Sequence, residues 1–411
     1  MKNWGRKKIV DISTVFEDGD WIESKDQSAE GIRLIQTGNV GNGIFKDRGE
    51  KARYISENTF KKLRCTEIFE GDCLVSRLPD PVGRACILPD TGEKMITAVD
   101  CTIIRFDQKQ LLSNWFLYYS LSNEYQNEIQ KQVTGATRQR ISRKNLGLVS
   151  VPIPPLPEQQ RIVSILDEAF ATIAKAKANA EQNLKNAKEL FESYLQGVFE
   201  NGNNDWEVKC LDELGTITSS KRIYKSEYVK DGVPFYRTKE IKELSNGKPI
   251  TLELFISKDR YEQIKKSFGV PQIGDLLMSA VGTIGEIMVI ENENEFYFKD
   301  GNIVWFKDFQ RLDTNYLKYA LTAFVEKIKS LAIGAAYSAL TIEKLNKYEI
   351  AFPKTKEEQQ TIVRQLDALR AETQKLEAVY QKKIDDLEEL KKSILQKAFA
   401  GELKTEKAVA V

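Results

Sequence analysis

The 411-residue chain carries 61 basic and 60 acidic residues, so a nucleic-acid surface would have to be a local basic patch with the acids segregated elsewhere. It has no histidine, which removes the commonest general acid–base and leaves a metal site only cysteines and carboxylates. No run of eighteen apolar residues suggests a membrane span, and no apolar stretch follows Met1–Arg6 as in a signal peptide, so a cytoplasmic protein of two or three domains is expected.

The first 150 residues read as mixed strands and helices. Ile32–Ile35 and Cys73–Ser76 are short apolar runs between turn residues and are predicted strands. Ser113-Asn114 offers a cap before an apolar-periodic stretch, Trp115 to Ile129, predicted as one helix. The five cysteines, Cys65, Cys73, Cys86, Cys101 and Cys210, include no C-x-x-C pair and read as buried, reduced thiols.

Pro152, Pro154, Pro155 and Pro157 then announce a change. Residues 158–199 contain no proline and one glycine, and two apolar rows run along them in alternating three- and four-residue steps. One row is Val163, Phe170, Lys177, Leu184, Phe191 and Val198; the other is Leu166, Ile173, Ala180, Ala187 and Tyr194. A helix of about 40 residues is about 60 Å long. Asn201–Asp205 is a polar linker, after which residues 206–350 repeat the first plan.

Residues 358–399 repeat the long helix. Thr355 and Glu358 fit a capping box at its start. Leu366, Thr373, Tyr380, Leu387 and Ile394 form one row; Ile362, Leu369, Leu376 and Leu390 form the other, interrupted by Lys383. Each helix has one apolar seam and needs a partner. If the two run antiparallel, Ala180 falls near Tyr380 and Ala187 near Thr373; pairing with another protein is the alternative.

The chain is thus written twice at an offset of about 200 residues. Glu158-Gln159-Gln160 recurs as Glu358-Gln359-Gln360, Leu166-Asp167 as Leu366-Asp367, and Ser193, Leu195, Gln196 and Phe199 as Ser393, Leu395, Gln396 and Phe399. Upstream, Gly71-Asp72 parallels Gly274-Asp275 with a drifting offset, as loop insertions cause. Constant frames with divergent loops are what two readers of two different targets would look like.

Candidate recognition residues lie in those loops. After the early strand come Gln36, Thr37 and Asn39 in one half and Tyr236, Arg237, Thr238 and Lys239 in the other, with Arg33 on the strand itself. Gln, Asn and Arg can pair with base edges, although Asn and Thr in a turn also satisfy local backbone. Before the last strand of the first half, Thr137, Arg138, Gln139, Arg140 and Arg143 combine small residues with cations that suit phosphates. The second half has Tyr337 and Ser338 there, without the arginines. Arg77 and Arg84 flank a third loop, whose counterpart after Ser279 is uncharged; Lys221 and Arg222 complete the set. No G-x-x-x-x-G-K-[ST] phosphate loop and no N-P-P-Y motif occurs, and Pro79-Asp80 and Pro89-Asp90 read as turns rather than nuclease motifs.

Pro152-Ile153-Pro154-Pro155-Leu156-Pro157-Glu158-Gln159-Gln160-Arg161-Ile162-Val163 resembles the segment leading into the central conserved region of type I restriction–modification specificity subunits. Lys392 to Leu403 is similar to their C-terminal conserved region, and the Gly-Asp strands to a recurring feature of their recognition domains. The resemblance implies an α+β chain of two similar α/β target-recognition domains, residues 1–151 and 201–351. Two long helices forming an antiparallel coiled coil, residues 152–200 and 352–411, would separate them. It further implies a non-catalytic subunit that binds one half of a bipartite, asymmetric site in double-stranded DNA with each domain. Two copies of an adenine-N6 methyltransferase subunit and a restriction translocase subunit would be its partners, and S-adenosylmethionine, ATP and magnesium would belong to them. The rival reading is a coiled-coil scaffold that does not touch DNA.

Overall fold

The computed structural model describes residues 4–135, 139–200, 202, 205–331 and 340–403. The chain divides into two compact units, Met1–Ala180 with Lys382–Val411, and Glu181–Gln381. Each takes one part of each long helix. No described helix is long and apolar enough to cross a membrane.

In the first unit an antiparallel sheet orders Ser13–Asp18, Cys101–Phe106, Cys73–Ser76 and Ala85–Ile87. A mixed sheet orders Tyr54–Ile55, Ile32–Ile35, Met95–Thr97 and Glu67–Ile68, and within it Ile32–Ile35 and Met95–Thr97 run parallel. The second unit repeats this. Thr216–Thr218, Ile303–Lys307, Leu276–Ser279 and Ile287–Val289 form the antiparallel sheet. Tyr228–Val229, Phe255–Ile256, Val233–Tyr236 and Tyr297–Phe298 form the mixed one, and Val233–Tyr236 and Tyr297–Phe298 are its parallel pair. Both predicted strands of the first half are present.

The repeated Gly-Asp leads into the central strand of each antiparallel sheet. Gly71 and Gly274 adopt φ of +82° and +92°, a left-handed turn in which glycine carries no steric penalty. The following carboxylate then caps the turn: Asp72 accepts from the Phe69 amide at 2.9 Å, and Asp275 from the Gln272 amide at 2.8 Å. Its remaining acceptor capacity meets Arg105 in one unit and the Trp305 indole in the other.

The predicted helix at 115–129 is two helices, Ser113–Ser120 and Asn123–Gln132. The break is at Ser122, whose hydroxyl accepts from the Tyr125 amide and so starts a new helix rather than continuing the old one. Four of the five cysteines are buried and reduced, and Cys210 is half-buried. Burial pushes the thiols of Cys65 and Cys101 up to about 11 and that of Cys86 to about 12.

The long helices span Leu156–Glu200 and Lys356–Phe399, and they run antiparallel in each unit. In the first, Lys177 meets Glu388 at 2.5 Å, Lys391 lies over the Phe170 ring, and Ile162, Val163 and Leu166 share a core with Ala398. In the second, Arg370 lies over the Phe191 ring, and Phe191 and Leu195 share a core with Val363 and Leu366. Ala187 and Thr373, expected to face each other, are both buried there. The seam differs from the predicted rows at several positions. Tyr194, Leu376 and Leu390 are exposed, while Leu195, Ile384 and Leu395 are buried. Leu195, Ile384 and Leu395 each lie one residue C-terminal of a row position, Tyr194, Lys383 and Ile394, as expected where a helix keeps about 3.6 residues per turn against a 3.5-residue pattern.

The Glu-Gln-Gln motif fastens each long helix to its domain. The Gln159 amide donates to the carbonyls of Gln110 and Pro154 and accepts from the Leu112 amide. Gln359 does the same with the carbonyls of Arg311 and Pro353 and the Asp313 amide. Both glutamines are fully buried. Two turns on, Tyr118 donates to Asp167 and Tyr319 to Asp367, so the repeated Leu-Asp is a second fastening.

Candidate nucleic-acid interface

The carboxyl ends of the parallel strand pairs gather the loops that the sequence singles out. In the first unit the stitching is done by two arginines. Arg84 donates to the carbonyls of Thr37, Val40, Leu78 and Pro81 at 2.6–3.2 Å, which ties the 36–40 loop to the 77–84 loop. Burial lowers its pKa. Arg77 donates to the carbonyls of Val99 and Ile141 and lies 3.3 Å from the Asp18 carboxylate. Its main chain also accepts from the Ile141 amide and donates to the Asp100 carbonyl. Loops 77–84, 97–100 and 139–143 are thereby held together.

These bonds give several of the candidate residues partners within the chain. Arg33, Arg77 and Arg84 are buried rather than presented at the surface. Arg33 spends its charge on Asp47 and Glu93, and the other two spend theirs largely on loop carbonyls. All three position the loops. Asn39 is also buried, accepting from the Gln36 amide and donating to the Lys46 carbonyl, so its side chain serves the turn. The hydroxyl of Ser279, a candidate of the second unit, is also buried, accepting from the Glu286 amide and donating to the Thr283 carbonyl. Ser76 plays the same part for Leu78.

The remaining first-unit candidates are more accessible. Gln36 and Thr37 are half-buried, Gln139 is exposed, and Arg140 and Arg143 are exposed. The Arg140 guanidinium lies 3.4 Å from Asp100, and that of Arg143 3.9 Å from Asp18. Thr137 and Arg138 lie outside the described residues, as do Tyr337 and Ser338 in the second unit.

In the second unit Tyr236 stacks on Phe296 with ring centroids 4.6 Å apart. Arg237 then precedes the helix Thr238–Ser245, where Thr238 is the half-buried first residue. Glu240, one turn in, accepts from both the main-chain amide and the guanidinium of Arg237. Burial works to raise the Glu240 pKa, but these bonds outweigh it and the net shift is downward. The outer face of the Arg237 guanidinium meets Glu253 at 2.8 Å, and Lys239 meets the same carboxylate at 2.9 Å. Hydrogen bonds from Lys239 and Arg237 pull Glu253 down to about 2. Nearby in the chain Arg222 pairs with Asp300 at 2.8 Å, and the Lys221 amide donates to the Tyr297 hydroxyl.

The carboxylates are what sequence reasoning missed. Asp300 lies 78 residues from Arg222, and Glu253 lies 16 from Arg237, in a segment without regular structure. No local motif couples them. The loops also differ in kind between the units. The strand-entry residue whose carbonyl accepts from Ser76 is Arg84, whereas the one that accepts from Ser279 is Glu286. The same frame thus carries opposite charges.

Comparison with known proteins gives this geometry a family. The type I restriction modification DNA specificity domain matches residues 1–186 and again 203–388. A putative type I restriction enzyme specificity subunit of Haemophilus influenzae is 30% identical over 62% of this chain and 64% of that protein, somewhat under two thirds of its length. A second, of Methanocaldococcus jannaschii, is 24% identical over 98% of this chain and 94% of its own. Among solved structures, a chain from work on complex assembly and conformational transition of the type I R-M system superposes with a TM-score of 0.78. That match is 18% identical and covers 98% of this chain and 99% of the other. The HsdS subunit from Thermoanaerobacter tengcongensis gives a TM-score of 0.59 at 18% identity, covering 98% of each chain. The chain therefore belongs to the type I restriction–modification specificity-subunit family, with the DNA specificity domain present twice.

Proposed function

We propose that this chain reads a bipartite, asymmetric site in double-stranded DNA, one half with each domain, and performs no chemistry itself. The observation that carries the reading is the duplicated frame with dissimilar loops: buried arginines hold the first set, and an arginine–carboxylate cluster builds the second. Two identical readers would call for a symmetric target; two different ones suit an asymmetric target. Residues 1–151 and 201–351 are assigned as the target-recognition domains, and residues 152–200 and 352–411 as the conserved helical regions.

The exposed candidates for DNA contact are Gln139, Arg140 and Arg143 in the first domain and Lys221, Arg222 and Lys239 in the second, with the half-buried Gln36, Thr37, Tyr236, Arg237 and Thr238 at the edges. The long helices dock two adenine-N6 methyltransferase subunits, and a restriction translocase joins them in the cytoplasm. S-adenosylmethionine, ATP and magnesium belong to those partners. A partner that methylates an adenine must extrude it, and a clamp on duplex at both sides suits that step. The reading predicts that the full-length chain binds duplex DNA with a logarithmic salt slope of roughly −0.9 per phosphate contact. Salt-independent retention, or none, in a titration from low to high salt would favour a protein scaffold instead.

A further inference from the structure

Most accessible cations of the candidate interface are already close to a carboxylate of the same chain. Arg140 approaches Asp100, Arg222 pairs with Asp300, and Arg237 and Lys239 share Glu253. The second-domain cluster is the most complete. Two cations, Arg237 and Lys239, face two carboxylates, Glu240 and Glu253, so these four side chains are together neutral. The two carboxylates are not equivalent. Glu240 is buried and caps the helix start, which makes it a positioning residue. Glu253 is 45% exposed and sits in a stretch, 248–254, with no regular structure. Its oxygens occupy the outer face of Arg237 and the head of Lys239, where a phosphate or a base edge would bind.

Resting on the DNA-reading function proposed above, we infer that Glu253 is a specificity-determining residue: it competes with DNA phosphate for Arg237 and Lys239 and holds down sequence-independent binding. A duplex without the right bases offers these cations only one anion in exchange for another, so little is gained. A duplex with the right bases adds paired contacts to base edges and makes the exchange favourable. The local neutrality also fits a chain whose 61 basic residues are nearly matched by 60 acidic ones.

The test is equilibrium binding of the full-length chain to a random-sequence duplex, followed by fluorescence anisotropy across a salt series. Glu253→Gln keeps the side chain's size and removes its charge. It is expected to tighten random-duplex binding ~3- to 10-fold near 0.1 M salt and to steepen the logarithmic salt slope by about one. Glu262→Gln is the control, because Glu262 is comparably exposed and pairs with Lys258, away from the candidate cations. It is expected to leave binding within about twofold of wild type. Wild-type binding that Arg237→Ala weakens, combined with a Glu253→Gln chain no tighter than wild type, overturns the inference and leaves the DNA reading standing. An equal gain from Glu262→Gln also overturns it, since net charge alone would then be responsible. Wild-type chain that shows no salt-dependent binding overturns both.

Discussion

Gln359→Leu lowers the unfolding free energy of the second unit by about 3 kcal/mol, and Gln159→Leu does the same to the first. Each glutamine makes three hydrogen bonds in a fully buried position, accepting from one main-chain amide and donating to two carbonyls. Leucine fills similar space, so the loss is mainly that of polar groups left buried and unpaired rather than of a cavity. In thermal unfolding this is a shift of roughly 6–12 °C for a unit of this size. Gln360→Leu is the comparison within the same motif. Gln360 is exposed and makes only a 3.4 Å bond to Asp313, so its change is expected to stay within about 0.5 kcal/mol. Equal effects at 359 and 360 would contradict the fastening role.

Arg84→Ala has the second large effect, and of a different kind. The side chain satisfies four carbonyls on two loops from a buried position, and its removal leaves them without that donor. A loss of about 3 kcal/mol is expected in the first unit. DNA affinity falls as well, because the 36–40 and 77–84 loops lose their common anchor, yet the salt slope keeps its wild-type value since no phosphate contact is removed. Arg143→Ala behaves oppositely. Its guanidinium is exposed and 3.9 Å from its nearest carboxylate, so unfolding is unchanged within about 1 kcal/mol while the salt slope becomes shallower by about 0.9. Calorimetry and salt-series binding on the two variants separate a loop-holding arginine from a phosphate-binding one.

The architecture was largely legible because the repeat consists of residues that build the frame. Gln159 and Gln359, Asp72 and Asp275, and Asp167 and Asp367 each do one structural job twice. The seam of the first helix follows the expected rows as far as Phe191, whereas that of the second departs from them already at Val363, because rows at a fixed 3.5-residue period drift around a helix of about 3.6 residues per turn. Candidate binding residues were less legible for a physical reason. Arginine is equally suited to base edges and to buried loop carbonyls, and only the fold distinguishes Arg84 from Arg140. Carboxylates such as Glu253 and Asp300 carry no signal at all in sequence, since what makes them matter is the cation opposite.

The central claim is that the two domains read separate halves of one site. It is tested most directly by replacing residues 206–350 with the corresponding segment of a relative and mapping N6-methyladenine in cells that supply the methyltransferase partner. The account predicts that one half of the methylated sequence changes while the other half is retained. A methylation pattern altered in both halves, or in neither, would contradict it.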